Sequence, residues 1–316
     1  MPRTVPEGLF LTSIPFMLTP REIVAQAWTI TTTEPSIKRW GFFGTFFRLL
    51  LDIKLIAYQI YFLISSLQGK EVGLFDDVIW LYGVVSFGVF VTIVVAFLLL
   101  LLVEIFVPSM TDGPIIGLTA KSYKHEPVTG GFILAVYNFF PVFTVHEIFV
   151  FSGLNLLITA ISILLRYGAG LTPFLIVVAI VLWSMSSVLK FLSSFSEPAI
   201  VIDKIGIFES ISKSIKLVFS YPQHVMFLIV LLLMISIRVF INTVLIVCIP
   251  GAAFGIGLLL TYVFTPAVSY TIAGLIGVAL LFVMAYFFMY LHVFKQTVWT
   301  LMYMELKGEK ELDVIG

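Results

Sequence analysis

Apolar residues gather into six blocks, 41–67, 78–107, 131–165, 171–192, 225–249 and 267–294. Each is long enough to supply the roughly 20 residues that a helix needs to cross the hydrocarbon of a bilayer. Leu98 to Leu102 stand in an unbroken row in the second block, where Glu104 is the only charge. A soluble helix shows a polar face every 3.6 residues; these blocks show none, so lipid is the predicted solvent and six transmembrane helices are expected. A further apolar piece, 251–264, has 14 residues between Pro250 and Pro266. That length suits a re-entrant or interfacial segment better than a crossing.

Shorter stretches between the blocks do carry helical periodicity. Pro35, Pro127 and Pro222 stand 92 and 95 residues apart, each after such a stretch and before two long apolar blocks. In the third stretch Phe208, Ile211, Ile215 and Val218 share one face, while Glu209, Ser212, Lys213 and Lys216 share the other. The first opens with Thr19, Pro20 and Glu22, a capping box with proline at the first helical position, and its apolar face is Ile23, Val24, Ala27 and Trp28. The second, 114–123, is shorter. Helices of this kind lie in the interface plane, where their lysines meet anionic headgroups. Trp28, Lys204, Lys213 and Lys216 are the candidate lipid-contacting residues. The predicted fold is an all-α polytopic bundle forming one integral membrane domain, 1–316. Within it, 20–107, 108–194 and 195–305 read as three parallel pseudo-repeats of two spans, followed by a tail, 306–316.

Composition agrees with lipid. Hydrophobic residues make up 60% of the chain and charged ones 11%, too few to clothe a soluble domain of 316 residues. A net charge of zero argues against nucleic acid, leaving membrane lipids as the expected partners, with a protein partner or a second copy also compatible. The single cysteine, Cys248, supports neither an internal disulfide nor a Cys-based zinc site. Residues 1–19 carry Arg3 but are broken by Pro2, Pro6 and Pro15. They lack signal-peptide form and are expected to be retained along the membrane surface.

Basic residues set the orientation. Thirteen of the 18 fall before the first span, between the second and third, at or between the fourth and fifth, or after the sixth; only Lys70 and Arg166 fall on the opposite side. Both termini are therefore predicted to be cytoplasmic. A seventh crossing at 251–264 would move Lys295, Lys307 and Lys310 outside.

Charges inside the spans are the main functional clue. Arg48, Asp52 and Lys54 in span one, His146 and Glu147 in span three, and Arg238 in span five stand 13 to 20 residues beyond their marker prolines. A lone charge at the bilayer centre costs about 2.5–3.5 kcal/mol on insertion scales, so such groups face one another or a wet cavity. The expected arrangement is a polar cluster with Asp52 and Glu147 as partners for Arg48, Lys54 and Arg238. A plainer reading pairs Arg48 with Asp52 at i, i+4 on one helix and lets Lys54 snorkel to the headgroups. Glu104, Lys190, His292 and Lys295 lie near span ends and read as interfacial.

Catalytic signatures are missing. His125, His146, His224 and His292 form no metal-binding spacing, and neither a nucleophile elbow nor a phosphate-binding glycine loop occurs. No cofactor, metal or catalytic residue is expected. Asp76 and Asp77 read as solvated loop charge, and Gly251 with Gly255 as a helix-contact pair.

The stretch Ser196-Glu197-Pro198-Ala199-Ile200-Val201-Ile202, continuing through Gly206 and Glu209 to Leu217, resembles a segment of a prokaryotic six-span superfamily. That group includes the membrane domain attached to some glycerophosphodiester phosphodiesterases. The ending, Phe294-Lys295-Gln296-Thr297 to Tyr303-Met304-Glu305-Leu306, is also similar to its closing segment. Lys213 stands where many relatives carry arginine. The resemblance implies a multi-pass protein of a prokaryotic cytoplasmic membrane. It implies no hydrolase activity, because the phosphodiesterase domain is absent from these residues. The leading expectation is a non-enzymatic membrane organiser, lipid-interacting module or accessory subunit. Its rival is a transporter or channel for a small solute or lipid built on the polar cluster; an intramembrane enzyme is the third reading.

Orientation is directly testable. In a Cys248→Ser background, Arg3→Cys and Lys310→Cys should both react with an impermeant maleimide only after the cells are opened. Labelling of one end from outside intact cells would refute the even number of crossings.

Overall fold

The computed structural model describes residues 18–69, 73, 75–167, 169–221 and 251–315, with scattered positions between 223 and 249. Among them every regular element is helical. Helix α1 (Pro20–Thr33) starts as its sequence requires: the Thr19 hydroxyl accepts the Glu22 N–H, and the Glu22 carboxylate takes the Thr19 N–H at 2.7 Å. That second bond holds the Glu22 carboxyl below its ordinary range. Glu34 is pushed into extended backbone by the following proline, ending α1, and Pro35 opens α2 (Pro35–Leu67). Then come α3 (Asp76–Val84), α4 (Phe87–Tyr123), α5 (Gly131–Ile148), α6 (Leu154–Tyr167), α7 (Thr172–Leu192), α8 (Ser196–Asp203), α9 (Ile207–Ser220), α10 (Gly251–Leu260) and α11 (Pro266–Ile315).

Among the described residues four helical stretches are long and apolar enough to cross a membrane: Phe87–Tyr123, Gly131–Ile148, Thr172–Asp203 (α7 continued through a turn into α8) and Pro266–Gly308. Their surfaces agree, since Phe132, Tyr137 and Phe140 are each 70% exposed, a state that suits hydrocarbon better than water. The opposite regime holds where α1, the start of α2, the last third of α4, α8, α9 and the second half of α11 converge. There Ile23, Ile115, Leu118, Phe195, Leu301 and Tyr303 form a close-packed apolar core. Helices α2, α4 and α11 join the two regimes. At 33, 37 and 50 residues they run about 50, 55 and 75 Å, well beyond the roughly 30 Å of hydrocarbon.

Several sequence expectations are corrected. The second apolar block divides at Val85 and Ser86 into α3 and α4, and the third divides at 149–153, where a 3₁₀ turn (Val150–Ser152) separates α5 from α6. The stretch 114–123 is no separate interfacial helix. It is the end of α4, carried through Pro108 and Pro114 by packing against α2, α5 and α11, with Ile115 and Ile116 buried. The expected tail continues α11 as helix as far as Ile315. On α9 the buried face is Ser210, Ser214, Leu217 and Val218, and Phe208 is 82% exposed. Small serines win the inward positions because Ser214 has backbone groups to satisfy: its hydroxyl donates to the Leu192 carbonyl at 2.7 Å and accepts the Phe195 N–H at 3.0 Å. The fifth block, 225–249, with Pro222, His224 and Arg238, lies outside the described residues apart from its scattered positions.

Close approach of α2 to its neighbours rests on glycine. A Cβ on Gly44 would collide with the Thr111 side chain of α4, and one on Gly41 with Val293 of α11. Gly44→Ala should therefore lower unfolding stability by about 1–3 kcal/mol, read by thermal unfolding in detergent. Gly88→Ala, where a Cβ meets open space, should leave it unchanged.

Candidate functional site

Three polar side chains from three long helices meet where the lipid-facing half adjoins the apolar core. Asp112 of α4 is buried, and its Oδ1 lies 2.9 Å from His292 Nε2 of α11. Its Oδ2 lies 3.7 Å from the Arg48 guanidinium of α2. These groups border a cavity of about 520 Å³ that also takes in His146 from α5, Trp183 and Lys190 from α7, Glu197 from α8, and Lys295 and Gln296 from α11. Gln296 Nε2 donates to Glu197 Oε2 at 2.8 Å.

Helical spacing builds the walls. His292, Lys295, Gln296 and Trp299 fall at i, i+3, i+4 and i+7 on α11, one continuous face. Trp183, Ser187, Lys190 and Ser194, at i, i+4, i+7 and i+11, likewise share one face along α7 and its terminal turn. Gly113 leaves room for α5 beside Asp112, since a Cβ there would lie 3.2 Å from Asn138 Cβ. Ser214 of α9 fixes the chain leaving α7 and thereby the position of Lys190.

Of the predicted cluster, Arg48 and His146 line this cavity, and Asp52, Lys54 and Glu147 are not among its lining residues. Asp52 accepts a hydrogen bond from Asn155 of α6 at 2.6 Å. Lys54 is ion-paired with Glu104 of α4 and lies 5.2 Å from the Phe97 ring centroid. Glu147, next to His146 on α5, is outside the cavity lining, although its charge acts on Lys190. Arg238 lies outside the described residues. The expected pairing of Asp52 and Glu147 with Arg48 and Lys54 is thus replaced by Asp112 and Glu104, both on α4. Glu104, expected at the interface, is 1% exposed, and Lys190, His292 and Lys295 belong to the cavity.

The interfacial candidates divide as well. Trp28 is half exposed and meets Phe294 edge-on at 5.8 Å, while Lys204 and Lys216 are exposed. Lys213 is instead engaged by Asp203, which also binds Tyr303 and Lys307 of α11. A second tie joins Glu305 to the Tyr123 hydroxyl and to the Leu18 N–H.

The site can hold charge and move protons. Among the described residues neither His146 nor His292 is hydrogen-bonded to a hydroxyl or thiol, and no three His, Cys, Asp or Glu side chains converge to hold a metal ion. A scan of protein-family models matches none, and no curated protein or solved structure shows significant similarity.

The Lys54 and Glu104 pair yields a contrast. Glu104→Gln alone, which leaves the ammonium without its counter-charge, should cost about 3–5 kcal/mol, whereas Lys54→Met with Glu104→Leu should restore most of that loss. Thermal unfolding of the three proteins in one detergent would decide it; equal losses in single and double variants would show that the pair is not the source.

Proposed function

We propose that the chain is a non-enzymatic, multi-pass protein of the cytoplasmic membrane that interacts with lipid through its charged cavity and organises the inner leaflet around it. In this reading six spans form three repeated units, both ends are cytoplasmic, and α1 and α9 lie along the membrane with Trp28, Lys204 and Lys216 among the headgroups. Two of the three amphipathic stretches being separate helices supports the repeat, and the resemblance of the stretch around α8 and α9 to a six-span superfamily supports the topology. The observation that carries the function is the cavity itself. A space of about 520 Å³ bordered by seven ionisable side chains inside an otherwise apolar bundle has a use only if something polar enters it.

Transport of a small solute is the second reading, favoured by His146, His292 and Asp112, which place exchangeable protons at the cavity wall. The two are separated by purification and reconstitution. Detergent-purified protein should carry about one tightly held polar lipid per chain by mass spectrometry, reduced in Arg48→Gln, and liposomes containing it should show no protein-dependent solute flux. Flux that scales with protein and disappears in Arg48→Gln, without retained lipid, would replace lipid holding by transport.

A further inference from the structure

We infer that the cavity is selective for an anion, a phosphate or carboxylate group, held by Lys190 and Lys295 with the Trp183 indole N–H. The inference rests on the reading that the cavity takes a ligand, and it adds the ligand's chemistry.

The argument is a balance of donors against acceptors. Both carboxylates of the lining are already engaged: Asp112 by His292 and Arg48, Glu197 by Gln296. The free capacity lies with the donors. Among the described residues the ammonium groups of Lys190 and Lys295 have no hydrogen-bond or ion-pair partner, and Arg48 reaches Asp112 through one nitrogen at 3.7 Å. Trp183 Nε1 is sealed from solvent without any acceptor, and an indole N–H can only donate. Ammonium and guanidinium groups also only donate. Three basic side chains thus face two engaged carboxylates in the cavity lining, with Glu147 acting on Lys190 from outside that lining, so the lining itself is rich in donors. Trp183 Nε1 is a buried donor left unpaired, which is costly, and the two lysine ammoniums stand at the cavity surface with no counter-charge in contact among the described residues, so the occupant that completes this site is rich in acceptors and negatively charged. A neutral sugar or a cationic amine would leave the lysines unmatched. His146, which donates or accepts according to its tautomer, is free to adjust to the ligand's protonation.

The ligand chemistry has two sources, the headgroup of an anionic lipid and a free anion from the cytosol. The test uses full-length protein in a neutral maltoside detergent, titrated by calorimetry with short-chain phosphatidylglycerol, with diacylglycerol of the same chain length, and with inorganic phosphate. Phosphatidylglycerol should bind and diacylglycerol should not. Lys190→Gln with Lys295→Gln should weaken binding by at least about tenfold. Lys190→Arg with Lys295→Arg should retain it, and Trp183→Phe should weaken it less than the double glutamine variant. Competition by inorganic phosphate assigns a free anion; its failure to compete assigns the lipid headgroup. Should the glutamine pair fail to fold, the comparison of Trp183→Phe and the arginine pair with the parent still decides the matter. Equal binding of diacylglycerol and phosphatidylglycerol, or unchanged binding in the folded glutamine or Trp183→Phe variants, overturns the anion assignment. Retained lipid in the purified protein would then still stand for the lipid-interacting reading, while its absence would remove that reading independently.

Discussion

Helix α2 carries ionisable and amide groups among its apolar residues, and four of them, Arg48, Asp52, Lys54 and Gln59, find a partner on another helix. Arg48 faces Asp112, Lys54 faces Glu104, Asp52 takes Asn155, and Gln59 accepts from Arg166 at 3.1 Å. The first two pairs, together with the approach of Gly44 to Thr111, run in a single antiparallel register between α2 and α4. A slip of one turn, about 5.4 Å, would strand all three contacts together. In lipid, where apolar side chains gain nothing from choosing one neighbour over another, such polar pairs and small-residue contacts are what specify the packing. Their role is positional more than stabilising, since a buried ion pair recovers little beyond its own desolvation.

The same helices must satisfy two solvents along their length. Over its lipid-facing part α4 buries almost nothing, and past Glu104 it enters a core in which Pro108 to Thr119 are nearly all buried. Helix α11 makes the same passage, from exposed Tyr270 and Phe287 to buried Leu301, Met302 and Tyr303. The cavity sits at this crossover. Charged residues there are near enough to the core end to be held by it and deep enough in the bundle to need one another.

Much of this was legible in the residues. Continuous apolar blocks announced the membrane helices, and the Thr19 and Glu22 pair announced the start of α1, because both signals are local and rest on length or capping chemistry. The charges set among the apolar residues of α2 were visible for the same reason. Their partners were not. Asp112 and Glu104 sit on a helix that the prolines at 108 and 114 made look divided, and nothing local says that packing will carry α4 through both. The face of α11 that holds His292, Lys295 and Gln296 shows correct helical spacing, but hydropathy placed it at a span end, where lysine and histidine usually meet headgroups. On α9 the serines outcompeted Phe208 for the interior because their hydroxyls answer backbone groups at the end of α7, a tertiary demand that amphipathic periodicity does not contain.

Helix α8 shows how the cavity is kept from collapsing onto its own charges. Near its first turn Glu197 is bound by Gln296, and at its end Asp203 is bound by Tyr303 and Lys307, so one short helix is fastened at both ends to α11. Lys213 of α9 joins the second fastening, and Ser214, one residue on, secures the turn between α7 and α8. Three carboxylates near the lysines are thereby committed elsewhere, Asp203 to the core side, Glu197 to an amide and Asp112 to Arg48 and His292, while Glu147 acts on Lys190 without an ion-pair contact. Fixing the acids in place is what leaves the lysines unmatched, and a floor tied to the same helix that carries His292 and Lys295 moves with them as one body.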